Sequence, residues 1–127
     1  MSKQPPSASG FHPASAMDFL PVPQLRELQF ARLKGMVERA YQHVKLFRER
    51  MEARNLSPAD LRTLDDLARL PFTEKNDLRE AYPFGLFASP LEEIVRFHAS
   101  SGTTGKPIVV AYTQEDLDDW STVMMRS

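Results

Sequence analysis

From Pro23 onward apolar side chains recur at helical spacing: Leu25, Leu28, Met36, Val37, Ala40, Val44, Phe47 and Met51, with Arg, Glu, Gln and Lys on the other faces. That periodicity predicts one long amphipathic helix, or two stacked ones, whose apolar stripe faces a core. Gly35 falls inside the pattern at a cost of roughly 1 kcal/mol relative to Ala, and Asn55 is the expected C-terminal stop. Three helix starts follow in quick succession: Ser57 with Pro58 and Asp60, Thr63 with Asp66, and more weakly Thr73 in "TEKN". Each offers a side-chain oxygen to the N–H groups that a helix leaves without partners in its first turn. Pro71 and Pro83 interrupt the series, because each lacks an N–H and biases the residue before it away from the helical region. Short helices and tight turns are expected here, with Asp65, Asp66, Arg69, Lys75 and Asp77 on solvated faces.

After the turn-rich "YPFGLFASP" the period becomes strand-like, with Ile94, Val95 and Phe97 in "IVRFHAS" and Ile108, Val109, Val110 and Tyr112 in "PIVVAYT". Strict alternation would put Val95 and Phe97 on one face, Arg96 and His98 on the other. Thr113 and Asp116 then form a further capping box, and Leu117, Trp120, Val123 and Met124 give an apolar face to a last helix that has no Gly or Pro to end it before Ser127. At the other end, "MSKQPPSASGFHPASAM" has little to bury against the entropy of ordering it, so Met1 to about Ala16 is expected as a mobile tail. The corresponding division is a disordered tail over 1–17 and one ordered unit over 18–127.

Charge narrows the choice of partners. Sixteen basic against seventeen acidic residues leave a formal charge of -1 over 127 residues, a field that attracts neither a nucleic-acid backbone nor an anionic membrane. With no Cys and three scattered His, neither a disulfide framework nor the usual zinc spacing exists. No apolar stretch approaches the ~18 residues of a membrane helix, and the first twenty residues lack the apolar centre of a secretory signal. The expected address is the cytoplasm.

The loop between the two strand-like runs carries the candidate chemistry. In "HASSGTTGKPIVVAYT", Gly102 and Gly105 let backbone N–H groups converge as an anion-holding nest. Ser100, Ser101, Thr103 and Thr104 add hydroxyls and Lys106 a positive charge, a donor set suited to a polyphosphate. It is not a Walker loop: Ser100 stands where that pattern needs Gly, Pro107 where it needs Ser or Thr, and a strand follows in place of a helix. On these residues alone, an ordinary hairpin loop of small polar residues remains the alternative. His12 and His43 are read as bland, and His98 either lines the nucleotide cleft or caps the hairpin.

"SSGTTGKP", Ser100 to Pro107, resembles the phosphate-binding signature of the adenylate-forming superfamily of acyl- and aryl-CoA ligases, luciferases and peptide-synthetase adenylation domains. "LPFTEKNDLREAYPFGLFA" and "FHASSGTTGKPIVVAYTQEDLDDW" are similar to phenylacetate-CoA ligases, and the similarity reaches back to about Leu25. One departure is Lys45 in "HVKLFRE", where that family usually has Pro, which puts a break between two helices there in doubt. The resemblance implies an α/β fold: a helical segment, a β-hairpin and the start of a helix from the large domain of an adenylate-forming enzyme. It further implies ATP, Mg²⁺ and coenzyme A as cofactor and co-substrates, an aryl acid as substrate, and the phosphate-holding role for Ser100, Ser101, Gly102, Thr103, Thr104, Gly105 and Lys106.

No catalytic residue or metal ligand is assigned, since the base, ribose, metal and thiol motifs of such ligases, and their catalytic Lys, lie further along much longer chains; Lys106 matches the loop lysine, not that one. The expectation is therefore an N-terminal portion of a phenylacetate-CoA ligase, inactive alone and prone to self-association or domain swapping. Two rivals are a stand-alone helical interaction module with a relic loop and a complete small nucleotide-binding protein.

Overall fold

In the computed structural model, residues 13–100 and 105–125 are described. The apolar stripe becomes two helices, α1 (Val22–His43) and α2 (Lys45–Glu52). Val44 between them is extended (φ -107°, ψ 101°) and buried. The break is made without proline. Arg48, in the first turn of α2, turns back and donates from Nη1 to the carbonyls of Tyr41 and Gln42 at 3.3 and 3.2 Å, two of the acceptors that the end of α1 leaves without intrahelical partners. The Tyr41 hydroxyl donates to Glu52 at 2.9 Å across the same corner.

Asn55 acts as the stop. Its φ of 54° puts it in the left-handed region, its N–H donates to the Glu52 carbonyl, and the Leu56 N–H donates to that of Met51, both at 2.9 Å. This is the paired-bond motif that closes many helices, with its usual apolar contact: Met51 and Leu56 are buried together with Val37 and Leu61, and Phe30, Leu33, Tyr41, Phe47 and Leu70 pack around them. The core thus sits between α1, α2 and the turns that follow.

Those turns use the expected caps, with one shift. Asp60 accepts from the Ser57 N–H and hydroxyl at 2.8 and 2.7 Å, starting a 3-10 turn over Pro58–Asp60. Asp66 accepts from the N–H groups of Arg62 and Thr63, both at 2.9 Å, starting Leu64–Arg69. The third helix, α3 (Lys75–Glu80), is capped by Glu74, not Thr73: Asp77 accepts from the Glu74 N–H at 2.7 Å. Asp77 is also not on a solvated face. It is 7% exposed and takes both Arg50 guanidinium nitrogens, at 2.6 and 2.7 Å, while Arg50 also donates to the Phe72 carbonyl at 2.8 Å. Arg54 does the same for the Arg69 and Leu70 carbonyls, each at 3.0 Å. Arginine side chains thus satisfy carbonyls at the end of the Leu64–Arg69 turn and in the segment that follows it.

These carboxylates set a pH dependence. Hydrogen bonds from the Arg62 and Thr63 N–H groups, then from the Arg69 side chain, lower Asp66 to about 2. Asp60 is lowered by the Ser57 hydroxyl and N–H, and Asp77 by Arg50 and the Glu74 N–H. Because each folded value lies below the unfolded one of about 3.9, their stabilisation is complete above pH ~4 and is lost as pH falls from there toward 2. An acid titration followed by circular dichroism is expected to show unfolding in that window, shifted upward by Asp66→Asn; an unchanged acid midpoint in the variant would contradict this.

Beyond α3, the turn through Gly85 passes so close that a Cβ there would lie 2.9 Å from the Ala81 carbonyl oxygen. It delivers Phe84 and Phe87 against Phe97, with ring centroids 6.1 and 6.2 Å away. Strands β1 (Ile94–Ser100) and β2 (Ile108–Thr113) then pair antiparallel. Ile94 faces Thr113 and Arg96 faces Tyr112, so Val95 is the extra residue of a bulge and the simple alternation ends there. From Arg96 onward one face carries Arg96, His98 and Ser100 opposite Tyr112, Val110 and Ile108; the other carries Phe97 and Ala99 opposite Ala111 and Val109. The last helix, α4 (Gln114–Met125), follows β2 directly. Pro13–Phe19 coil into a 3-10 turn beside α4; of the expected tail over 1–17, residues 1–12 lie outside the described residues.

Candidate phosphate-loop site

The hairpin supplies the frame of the site. Ser100 is the last residue of β1 and pairs with Ile108, the first of β2. The Ile108 N–H donates to Ser100 Oγ at 3.4 Å, which places a hydroxyl at the root of the loop. Gly105 has a φ of 135°, a conformation that side chains with a Cβ rarely adopt. Lys106 is exposed and Pro107 half-buried as the chain enters β2. Ser101, Gly102, Thr103 and Thr104 lie outside the described residues. Among the described residues a strand, β2, follows Pro107, as the argument from Pro107 required, and not a helix.

At the far end of β2 the turn into α4 is pinned. Asp116 accepts from the Thr113 N–H and hydroxyl at 2.8 and 2.9 Å, and the Asp116 N–H donates back to Thr113 Oγ1 at 3.2 Å. This is the predicted capping box, complete in both directions. On the face shared with Ser100, three rings meet. His98 lies edge-on to Tyr112 (5.0 Å between centroids, 63°) and to Trp120 of α4 (6.1 Å, 75°), and Tyr112 stacks on Trp120 (5.6 Å, 26°). The sequence offered two roles for His98 but not this contact, which depends on α4 folding back over the hairpin.

An open cleft of about 740 Å³ runs beside the hairpin, between Arg32, Met36 and Arg39 of α1, Phe87, Val109 of β2 and Asp119 of α4. Among the described residues of the glycine-rich segment, Ser100, Gly105 and Lys106 do not line it. Among the described residues no cluster of His, Cys, Asp and Glu could hold a metal ion, and no helix is long and apolar enough to cross a membrane.

The fold has known counterparts. A crystal structure of 2-hydroxyisobutyryl-CoA ligase in the postadenylation state, in complex with R3-HIB-AMP, superposes with a TM-score of 0.70 at 25% identity over 90% of this chain and 24% of its own. The same ligase with 2-HIB-AMP and CoA, in the thioesterification state, gives 0.68 at 31% identity over 76% of this chain and 22% of its own. The helices and hairpin therefore match about a quarter of the α/β fold of this CoA ligase.

In sequence the likeness narrows to phenylacetate-CoA ligases. That of Aromatoleum evansii is 55% identical over 104 residues, that of Pseudomonas putida 52% over 111, and that of Thermus thermophilus 50% over 111. The matches take in 82 to 87% of this chain and 24 to 25% of each relative, so the chain spans about a quarter of the length of the curated relatives it matches. No protein-family model matches it.

Proposed function

We propose that this chain is the N-terminal, triphosphate-gripping segment of an ATP-dependent phenylacetate:CoA ligase, a cytoplasmic enzyme of phenylacetate catabolism. In the first half-reaction an oxygen of the aryl carboxylate attacks the α-phosphorus of ATP and pyrophosphate leaves with the electron pair of the broken P–O bond, giving an acyl-adenylate. In the second, the thiol of coenzyme A, giving up its proton, attacks the acyl carbon and AMP leaves. The hydroxyls of Ser100, Ser101, Thr103 and Thr104, the amides around Gly102 and Gly105 and the Lys106 ammonium hold the β- and γ-phosphates and neutralise the charge that gathers on them as pyrophosphate departs. Mg²⁺ supplies further neutralisation when it arrives with the nucleotide; this donor set of hydroxyls and amides suits the phosphate oxygens.

The observation that carries this reading is the loop's frame: a positive-φ glycine and a cation at one root, a serine hydroxyl at the other, on two paired strands. The segment alone is inactive in this account, because a nest without base, metal or acid pockets offers only a few exposed hydrogen bonds. Exposure of Val95, Phe97 and Val123 supports self-association of the isolated chain. The rival, a helical interaction module with a relic loop, draws support from the buried cluster lying wholly in the helical half.

A chimera separates the two. Placed in exchange for the matching quarter of the Pseudomonas putida ligase, this chain is expected to yield phenylacetate-dependent exchange of pyrophosphate into ATP, while the 127-residue chain by itself gives no heat of Mg-ATP binding. A chimera that folds, by circular dichroism and thermal transition, yet exchanges nothing would favour the relic.

A further inference from the structure

We propose that His98 is a positioning residue for the phosphate loop, holding the loop's stems against α4 through Tyr112 and Trp120, and that it is not itself a phosphate ligand. This rests on the ligase reading above.

The two stems are anchored differently. β2 is fixed to α4 by chain continuity and by the Thr113–Asp116 box. β1 reaches α4 through the His98 ring, which lies edge-on to Trp120. His98 and Ser100 share a strand face, about 7 Å apart along β1, so any tilt of β1 at His98 carries the Ser100 hydroxyl with it. The bond that closes the stem, from the Ile108 N–H to Ser100 Oγ, is long at 3.4 Å and offers little stiffness of its own. The rings stand apart from the core of Val37, Met51, Leu56 and Leu61, and His98 and Trp120 stay exposed. What the three rings do is join three elements: edge-on and stacked aromatic contacts fix relative orientation as well as adding attraction. Among the described residues both aromatic partners of His98, Tyr112 and Trp120, belong to this face, and its ring is engaged with them.

Trp120 is the single tryptophan of the chain, so its emission reports on the cluster without any nucleotide. In the 127-residue chain, His98→Ala is expected to shift that emission to the red and to speed amide exchange at Ile108 about tenfold, the effect of losing two ring contacts; His98→Phe, which keeps an aromatic edge, stays close to the parent. In the chimera, His98→Ala is expected to raise KM for ATP about tenfold with kcat within about twofold, His98→Phe to restore it, and His98→Gln to resemble His98→Ala.

Rescue by Gln and not by Phe would make His98 a ligand and overturn the proposal. So would a His98→Ala variant with unchanged emission, Ile108 exchange or KM. An inactive chimera would bear on the ligase reading alone, since the emission and exchange measurements need no nucleotide and still decide whether His98 holds the stem.

Discussion

Replacing Thr103 and Thr104 together by Val in the chimera is expected to lower phenylacetate-dependent pyrophosphate exchange at least about a hundredfold. The substitution keeps the shape of both side chains and removes two hydroxyl donors. A single donor aimed at charge that develops in a transition state is worth roughly 10²–10³ in rate, and here the developing charge is that of departing pyrophosphate. The fall should appear mainly in kcat, because hydroxyls that strengthen their bonds as charge builds up contribute less to the ground state. Fold integrity is checked by the thermal transition, which the loss of two hydroxyls outside the buried cluster's residues should barely move. Exchange that survives intact would leave the loop a hairpin turn and the resemblance a matter of descent.

The second large effect is expected in the core. Met51 is 0% exposed, the largest side chain in the described structure to be so enclosed, and it stands where three constraints meet. Its side chain fills the space between α1, α2 and the following turns, and its carbonyl accepts from both Arg54 and Leu56 to close α2. Met51→Ala should cost about 3 kcal/mol, the usual loss for a buried residue of this size. A small domain has only a few kcal/mol to lose, so the urea midpoint is expected to fall steeply. Met51→Leu, which nearly conserves volume, should cost less than about 1.5 kcal/mol. An Ala variant with the parent's midpoint would mean that the buried cluster does not hold the helical half together.

What could be read from the sequence follows the range of each interaction. Signals that act within three or four residues were legible: the Ser57–Asp60, Thr63–Asp66 and Thr113–Asp116 boxes and the Asn55 stop each appear where the residues pointed. Thr73 misled because Glu74 next to it also serves as a cap, and the true partner of Asp77 lies one position nearer. Asp77 itself was misjudged because its burial depends on Arg50, 27 residues away, and no spacing rule connects two charges across that distance. The same holds for Arg54 and Leu70, 16 apart. The bulge at Val95 left no mark either, since Val suits a regular strand as well as an irregular one.

Around the candidate site, the two paired strands were visible in their β-branched runs and in Pro107, all local features. The ring triangle of His98, Tyr112 and Trp120 was not, because α4 must first fold back over the hairpin to create it.

The corner between α1 and α2 shows how side chains alone can hold a bend. No proline makes it: position 45 is Lys45, which pairs loosely with Glu49 at 3.6 Å on the surface. Arg48, reaching back to the Tyr41 and Gln42 carbonyls, ties the two helix ends together through reversible bonds. Position 48 thereby carries much of the corner: without that guanidinium the bend would rest on the Tyr41–Glu52 bond and on the packing of Met51 against Val37.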